Sequence, residues 1–305
     1  MLVTHLPQVQ ALLRVGVVVR GATRPVRLML GCVFAAQCNV VKKKYAAATQ
    51  PCLCFKRTRW PSKKQAVLDA LFGTLQDVTG PLHLRETMHF ADRMVMDGAP
   101  PLVGEPGTPE HQCSVVQSPL LAVNPRHIVP IPLHATQGIT HRLLRLAVEM
   151  VMVGRSANDG AADRRQAGAV FALELVELLY EKAQVRPTSY HGGLFIERDC
   201  HAIGDNTAVL CDALVGKVLE VHLAAYKQAW RLWNSVRVTL NRVGTIPAQE
   251  VSQFRAYTAA MVTLLKGSFS WLSISPKLHI LMFHVPDSLD AFGSIGLYGE
   301  QGLEA

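Results

Sequence analysis

Apolar residues recur at three- and four-residue spacing through the second half of the chain, the signature of helices with one buried face. Ile139, Leu143, Leu144, Leu146, Ala147, Met150 and Val151 predict a helix from Thr136 onward. "GRSANDGAADRR" (154–165) interrupts it, and a second helix is expected through "QAGAVFALELVELLYEKA", ending before Pro187. Further helices are predicted over 199–215, 217–242, 247–265 and 276–289, with Pro247 and Pro276 suited to first-turn positions. Trp230, Trp233, Phe254 and Tyr257 have spacings that suit packing in a core.

The first part of the chain is patterned differently. "RVGVVVRG" (14–21) and "PVRLMLG" (25–31) are short β-branched or apolar runs bounded by Gly, Pro and Thr, and predict two neighbouring strands. "DGAPPLVGEPGTPEH" (97–111) is irregular, and "SPLLAVNPRHIVPIPLH" (118–134) holds too many prolines for more than an edge strand. The predicted class is α/β but mostly α. The expected organisation is a basic, strand-containing part (1–60), an irregular connector (61–117), a helical stretch (118–275) and a last segment (276–305).

Charge sharpens this division. Residues 1–68 contain no Asp or Glu and twelve Lys or Arg; of 31 cations and 23 acids in all, 19 cations and all 23 acids follow, a balance of −4. The densest basic run holds Lys42, Lys43, Lys44, Lys56, Arg57 and Arg59, with Tyr45, Phe55 and Trp60 interleaved. One-sided positive charge is a footprint for a polyanion, so DNA or RNA is an expected partner, although a solvated basic loop has the same composition. No window reaches the ~18 unbroken apolar residues of a membrane span. The best, 28–41, is interrupted by Gln37 and Asn39. The start lacks a basic segment ahead of its apolar residues, so no signal peptide is expected. Seven scattered cysteines do not form a disulfide framework, and the expectation is an intracellular protein, nuclear or cytoplasmic.

Two patterns could carry metal chemistry. His279 and His284 are five apart, about 140° around an ideal helix, where four apart would align them better. Cys52 and Cys54 form a Cys-x-Cys pair, whose bite is tighter than Cys-x₂-Cys. Each pair has an ordinary reading as half-buried or small core residues. Together they would make a tetrahedral structural zinc site joining distant parts of the chain. Cys200 and His201 are adjacent and point about 100° apart on a helix, so they make no nucleophile–base dyad with each other. No GxxxxGK[ST], GxSxG or HExxH pattern occurs.

The stretch "HVPDSLDAFGSIGLYGEQGLE" (284–304) resembles the segment around the last catalytic carboxylate of Transib-type DDE transposases and the V(D)J recombinase catalytic subunit. The pattern there is a His pair five apart, His-Val-Pro, Gly-Ser-Ile-Gly and then Ser-Glu-Gly-x-x-Glu. "YAAATQPCLCFKRT", "IVPIPLHATQG" and "YHGGLFIERDCHAI" are similar to further parts of that family, closest to its transposon-derived relatives. The resemblance implies a partial RNase H-like core with a large helical insertion. It further implies zinc held by Cys52, Cys54, His279 and His284, with Glu304 as the metal-binding catalytic glutamate and Glu300 a second carboxylate nearby.

Departures from the pattern bear on activity. Two-metal phosphodiester chemistry needs about three carboxylates around Mg²⁺ or Mn²⁺. The family's Gly-Asp position is matched here by Cys32, no acid precedes Asp69, and the chain stops one residue after Glu304. The Cys pair is one residue short of Cys-x-x-Cys. The expectation is therefore a degenerate, truncated transposase-like pseudoenzyme with structural zinc, DNA binding and a homodimer as its oligomeric option. Mg²⁺ or Mn²⁺ would matter only to an active form. The competing expectation is a non-enzymatic nucleic-acid-binding or helical interaction protein unrelated to transposition.

Overall fold

The computed structural model describes residues 17–19, 22–24, 129–154, 160–187, 195–272 and 276–296. A short antiparallel hairpin and a helical body belong to different compact units. In the hairpin, β1 (Val17–Val19) pairs with β2 (Ala22–Arg24), setting Val17 against Arg24, Val18 against Thr23 and Val19 against Ala22. The strand expected over 14–21 is thus realised in part. β2 follows after only Arg20 and Gly21, a two-residue spacing at which Gly is favoured in hairpins. The strand expected over 25–31 lies outside the described residues.

From Pro130 onward the described residues are helical and contain no strand, so the mostly-α expectation holds there. Helix α1 (Pro132–Gly154) begins four residues before the expected Thr136. A proline is well suited to a first turn, because its missing N–H would have had no intrahelical partner there. Helix α2 (Ala161–Ala183) also starts early, taking in "ADRR". Its Asp163 carboxylate accepts a hydrogen bond from the Gly160 N–H at 3.1 Å, which turns a polar stretch into a capped helix start. Its end is fixed by Gln184 in the left-handed conformation (φ 56°).

The single helix expected over 199–215 is two, α3 (Glu197–Asp205) and α4 (Thr207–Asp212). They are divided at Asn206, whose side-chain amide donates to the Ala202 carbonyl at 2.9 Å. The long α5 (Glu220–Leu240) and α6 (Ala248–Ser268) follow close to their expected spans and form the most extensive helix pair. Helix α7 (Pro276–His279), a π-helical turn (Ile280–His284) and α8 (Val285–Phe292) complete the body. Among the described residues no helix is long and apolar enough to cross a membrane.

The core is built around α5, which packs most extensively on α6 and also against α1. Tyr226, Ala229, Trp230, Trp233, Val236 and Leu240 form one buried stripe of α5 at three- and four-residue spacing. α5 packs against α1, where Ile139, Leu143, Leu146 and Met150 are buried as well. Two polar ties cross this contact: the Trp233 indole N–H donates to Thr140 Oγ1 at 3.2 Å, and the Asn241 amide to Thr136 Oγ1 at 3.1 Å. From α6 come Val251, Phe254, Thr258, Met261 and Leu265. Tyr257, expected in the core, is instead 38% exposed. The stripe passes through Thr258, whose hydroxyl donates to the Phe254 carbonyl at 2.9 Å and so loses no hydrogen bond by burial.

Candidate metal centre

The sequence spacing of His279 and His284 predicts poor alignment, and the local backbone removes that objection. The Val285 N–H donates to the Ile280 carbonyl, an i→i+5 bond that closes a π turn ending at His284. Such a turn carries one extra residue and so brings side chains five apart closer in angle than a regular α-helix does. The cause lies in the sequence. Pro286 follows directly, lacks an N–H, and in an uninterrupted α-helix its ring would clash with the carbonyl of Met282. An extra residue in the turn relieves that conflict, and α8 then continues with proline in its first turn.

As a result the two imidazole ring centres lie 5.0 Å apart with planes at 76°. Both rings are buried, His279 at 2% exposure and His284 at 6%. Phe283 stacks beside His279 with ring centres 5.0 Å apart. Two imidazoles on one tetrahedral zinc, each with Zn–N of about 2.0–2.1 Å, have ring centres roughly 5 Å apart. The observed separation matches that value, and it equals that of the ordinary His279–Phe283 ring contact. Burial pushes the His284 imidazole down to about 4, against a smaller opposing effect of the Asp287 carboxylate. His284 is thus neutral near pH 7, the protonation state a metal ligand requires.

The exit from this turn is tightly fixed. Gly293 ends α8 with φ 74°, and its carbonyl accepts the Ile246 N–H at 2.7 Å. Ser294 Oγ donates to the Arg242 carbonyl at 3.2 Å, and Ile295 is fully buried. A Cβ on Gly296 would run into the Arg242 carbonyl group, so the Gly-Ser-Ile-Gly run packs directly on the α5–α6 connection.

The other expected ligands, Cys52 and Cys54, lie outside the described residues. So do Glu304, Glu300, Cys32, Lys42, Lys43, Lys44, Lys56, Arg57 and Arg59. Among the described residues no group of three or more His, Cys, Asp and Glu side chains is arranged to hold a metal.

Cys200 has a partner that its sequence neighbourhood does not reveal. Its Sγ lies 4.0 Å from His141 Nε2, which also accepts the Phe195 N–H at 3.1 Å. Burial, reinforced by Asp199, raises the thiol to about 12, so it is not a nucleophile near neutral pH. His201 faces elsewhere, with Nδ1 2.7 Å from Arg237 Nη1, in agreement with the expectation that adjacent Cys200 and His201 form no dyad. Cys211 is likewise buried, as a small apolar side chain. No protein-family model matches the chain, and no curated protein matches it.

Proposed function

We propose that these 305 residues are a transposon-derived, DDE transposase-like segment that retains a structural zinc site and DNA binding and lacks strand-cutting chemistry. In this reading the first strands belong to a partial RNase H-like core, and the long helices to its insertion. The observation that carries the proposal is the π turn, because it gives the unusual five-residue histidine spacing a chemical use. On the resemblance, Cys52 and Cys54 are the residues that would supply the other two ligands of a tetrahedral zinc with His279 and His284. Of the catalytic carboxylates only Glu304, with Glu300 beside it in sequence, has a counterpart. One such group does not hold two hard cations against water.

Two measurements test the reading. Purified protein is expected to carry about one zinc per chain, and His284→Ala or Cys52→Ala to abolish its retention through dialysis. A stably folded wild-type protein free of zinc would count decisively against the assignment. DNA affinity is expected to fall steeply with salt. Changing Lys42, Lys43 and Lys44 together to Ala should flatten the log–log slope by about 0.9 for each phosphate that is no longer neutralised. An unaltered slope would remove those lysines from the interface.

A further inference from the structure

We infer that a groove between the end of α1, α2 and the α4–α5 connection is a docking site for a basic, part-apolar segment of a partner protein, one lysine of which seats over Phe171. The groove shares no residue with the histidine pair, so the inference stands apart from the zinc reading.

The groove encloses about 770 Å³, within the ~300–1,000 Å³ usual for binding sites. Val151 and Phe171, both buried, give it an apolar lining together with Val170, which is 44% exposed. One side is set by backbone. A Cβ on Gly154 would lie 3.1 Å from the Lys217 carbonyl oxygen and 3.5 Å from Val218 Cα, so the α4–α5 connection rests directly on the end of α1. The Lys217 side chain, by contrast, is exposed and can turn away without moving that backbone.

What the groove accepts is indicated first by Lys217 itself. Its Nζ lies 5.0 Å from the centre of the Phe171 ring and is paired with the Glu174 carboxylate. An alkylammonium is thus already held there by an aromatic face and an anion. Charge gives the second indication. Asp163 and Glu174 line the groove, Lys217 is the one cation among the described residues that line it, and Glu177 and Glu181 continue along the exposed side of α2. Such a surface repels nucleic acid and attracts a cationic segment. Leu173, three residues on from Val170, is 71% exposed, and Val215 beside Gly216 is exposed as well. Apolar residues flanking the partner's lysine would cover them. Lys217 therefore acts as a placeholder that the partner's lysine displaces.

The full chain is titrated with a fluorescein-labelled amphipathic peptide of leucine and lysine, and binding is read by anisotropy. Lys217→Ala vacates the seat and is expected to tighten binding about fivefold. Lys182→Ala, which removes the same charge elsewhere on α2, should leave it within about twofold. Glu174→Gln should weaken binding about fivefold and Leu173→Ser about tenfold, while Glu181→Gln stays within about twofold. All five side chains are exposed, so the variants keep the fold. The same peptide with glutamate for lysine should not bind. Equal effects of Lys217→Ala and Lys182→Ala, indifference to Leu173→Ser, or no binding at all would overturn the inference. So would displacement of the peptide by spermidine at similar concentrations, the mark of a small-cation site. A dimer of the wild-type chain that Leu173→Ser dissolves would assign the face to a second copy and overturn it equally.

Discussion

Trp233→Ala is expected to destabilise the helical body by about 4 kcal/mol, the middle of the range for truncating a buried aromatic. Trp233 is fully buried at the α1–α5 crossing, and its indole N–H donates to Thr140 Oγ1. Truncation opens a cavity among stiff helices and leaves that hydroxyl without its donor. A domain of this kind is stable by only about 5–15 kcal/mol, so the loss is a large share of the total. Trp233→Phe keeps most of the ring and is expected to cost roughly half as much. Tyr257→Ala, at an exposed position on α6, should change stability by less than about 1 kcal/mol. Urea unfolding followed by far-ultraviolet circular dichroism measures all three. A Trp233→Ala loss below about 1 kcal/mol would show that this ring is not closely packed in the core.

The contrast between Trp233 and Tyr257 shows what hydrophobic pattern can and cannot reveal. Long helices announce themselves through their spacing, and α1, α2, α5 and α6 are all legible in that way. Their starts are less so, because Pro132 and the polar "AADRR" look like breakers while being suited to a first turn. Tyr257 looks like core because it is aromatic. The buried position is its neighbour Thr258, polar by composition and satisfied by its own helix. Asn206 ends α3 through a bond to its own backbone, in a stretch whose apolar pattern alone reads as continuous.

The candidate site shows the same limit more sharply. The residues His279 and His284 are visible in the sequence, yet a uniform 3.6-residue period misplaces them relative to each other. One extra residue per turn reverses the conclusion, and only Pro286 hints at it. The pairing of His141 with Cys200 joins residues 59 apart and leaves no local trace in either helix. Composition identifies the chemistry-bearing residues more readily than the backbone device that brings two of them together.

That device makes the stability of the metal-free protein depend on pH. In an unfolded chain a histidine titrates near 6.5, whereas burial holds the His284 imidazole at about 4 in the fold. Between these values the unfolded chain binds a proton that the native state does not. Acidification therefore favours unfolding, and the stabilisation present above pH ~6.5 is lost progressively as pH falls towards 4. The expected loss from His284 alone is about 3 kcal/mol. His141 adds to it with the same sign, since burial and the nearby Lys277 also lower its pKa. Urea unfolding of chelator-treated protein from pH 7.5 to 4.5 measures the total, and His284→Gln isolates the share of one ring. The variant should show a markedly flatter profile than wild type, whatever its absolute stability. Zinc should steepen the wild-type profile, because ligation requires the neutral ring and acid releases the ion. If wild type and His284→Gln lost stability in parallel, the ring would have to be accessible to protons in the fold, and the buried, metal-ready pair would be excluded.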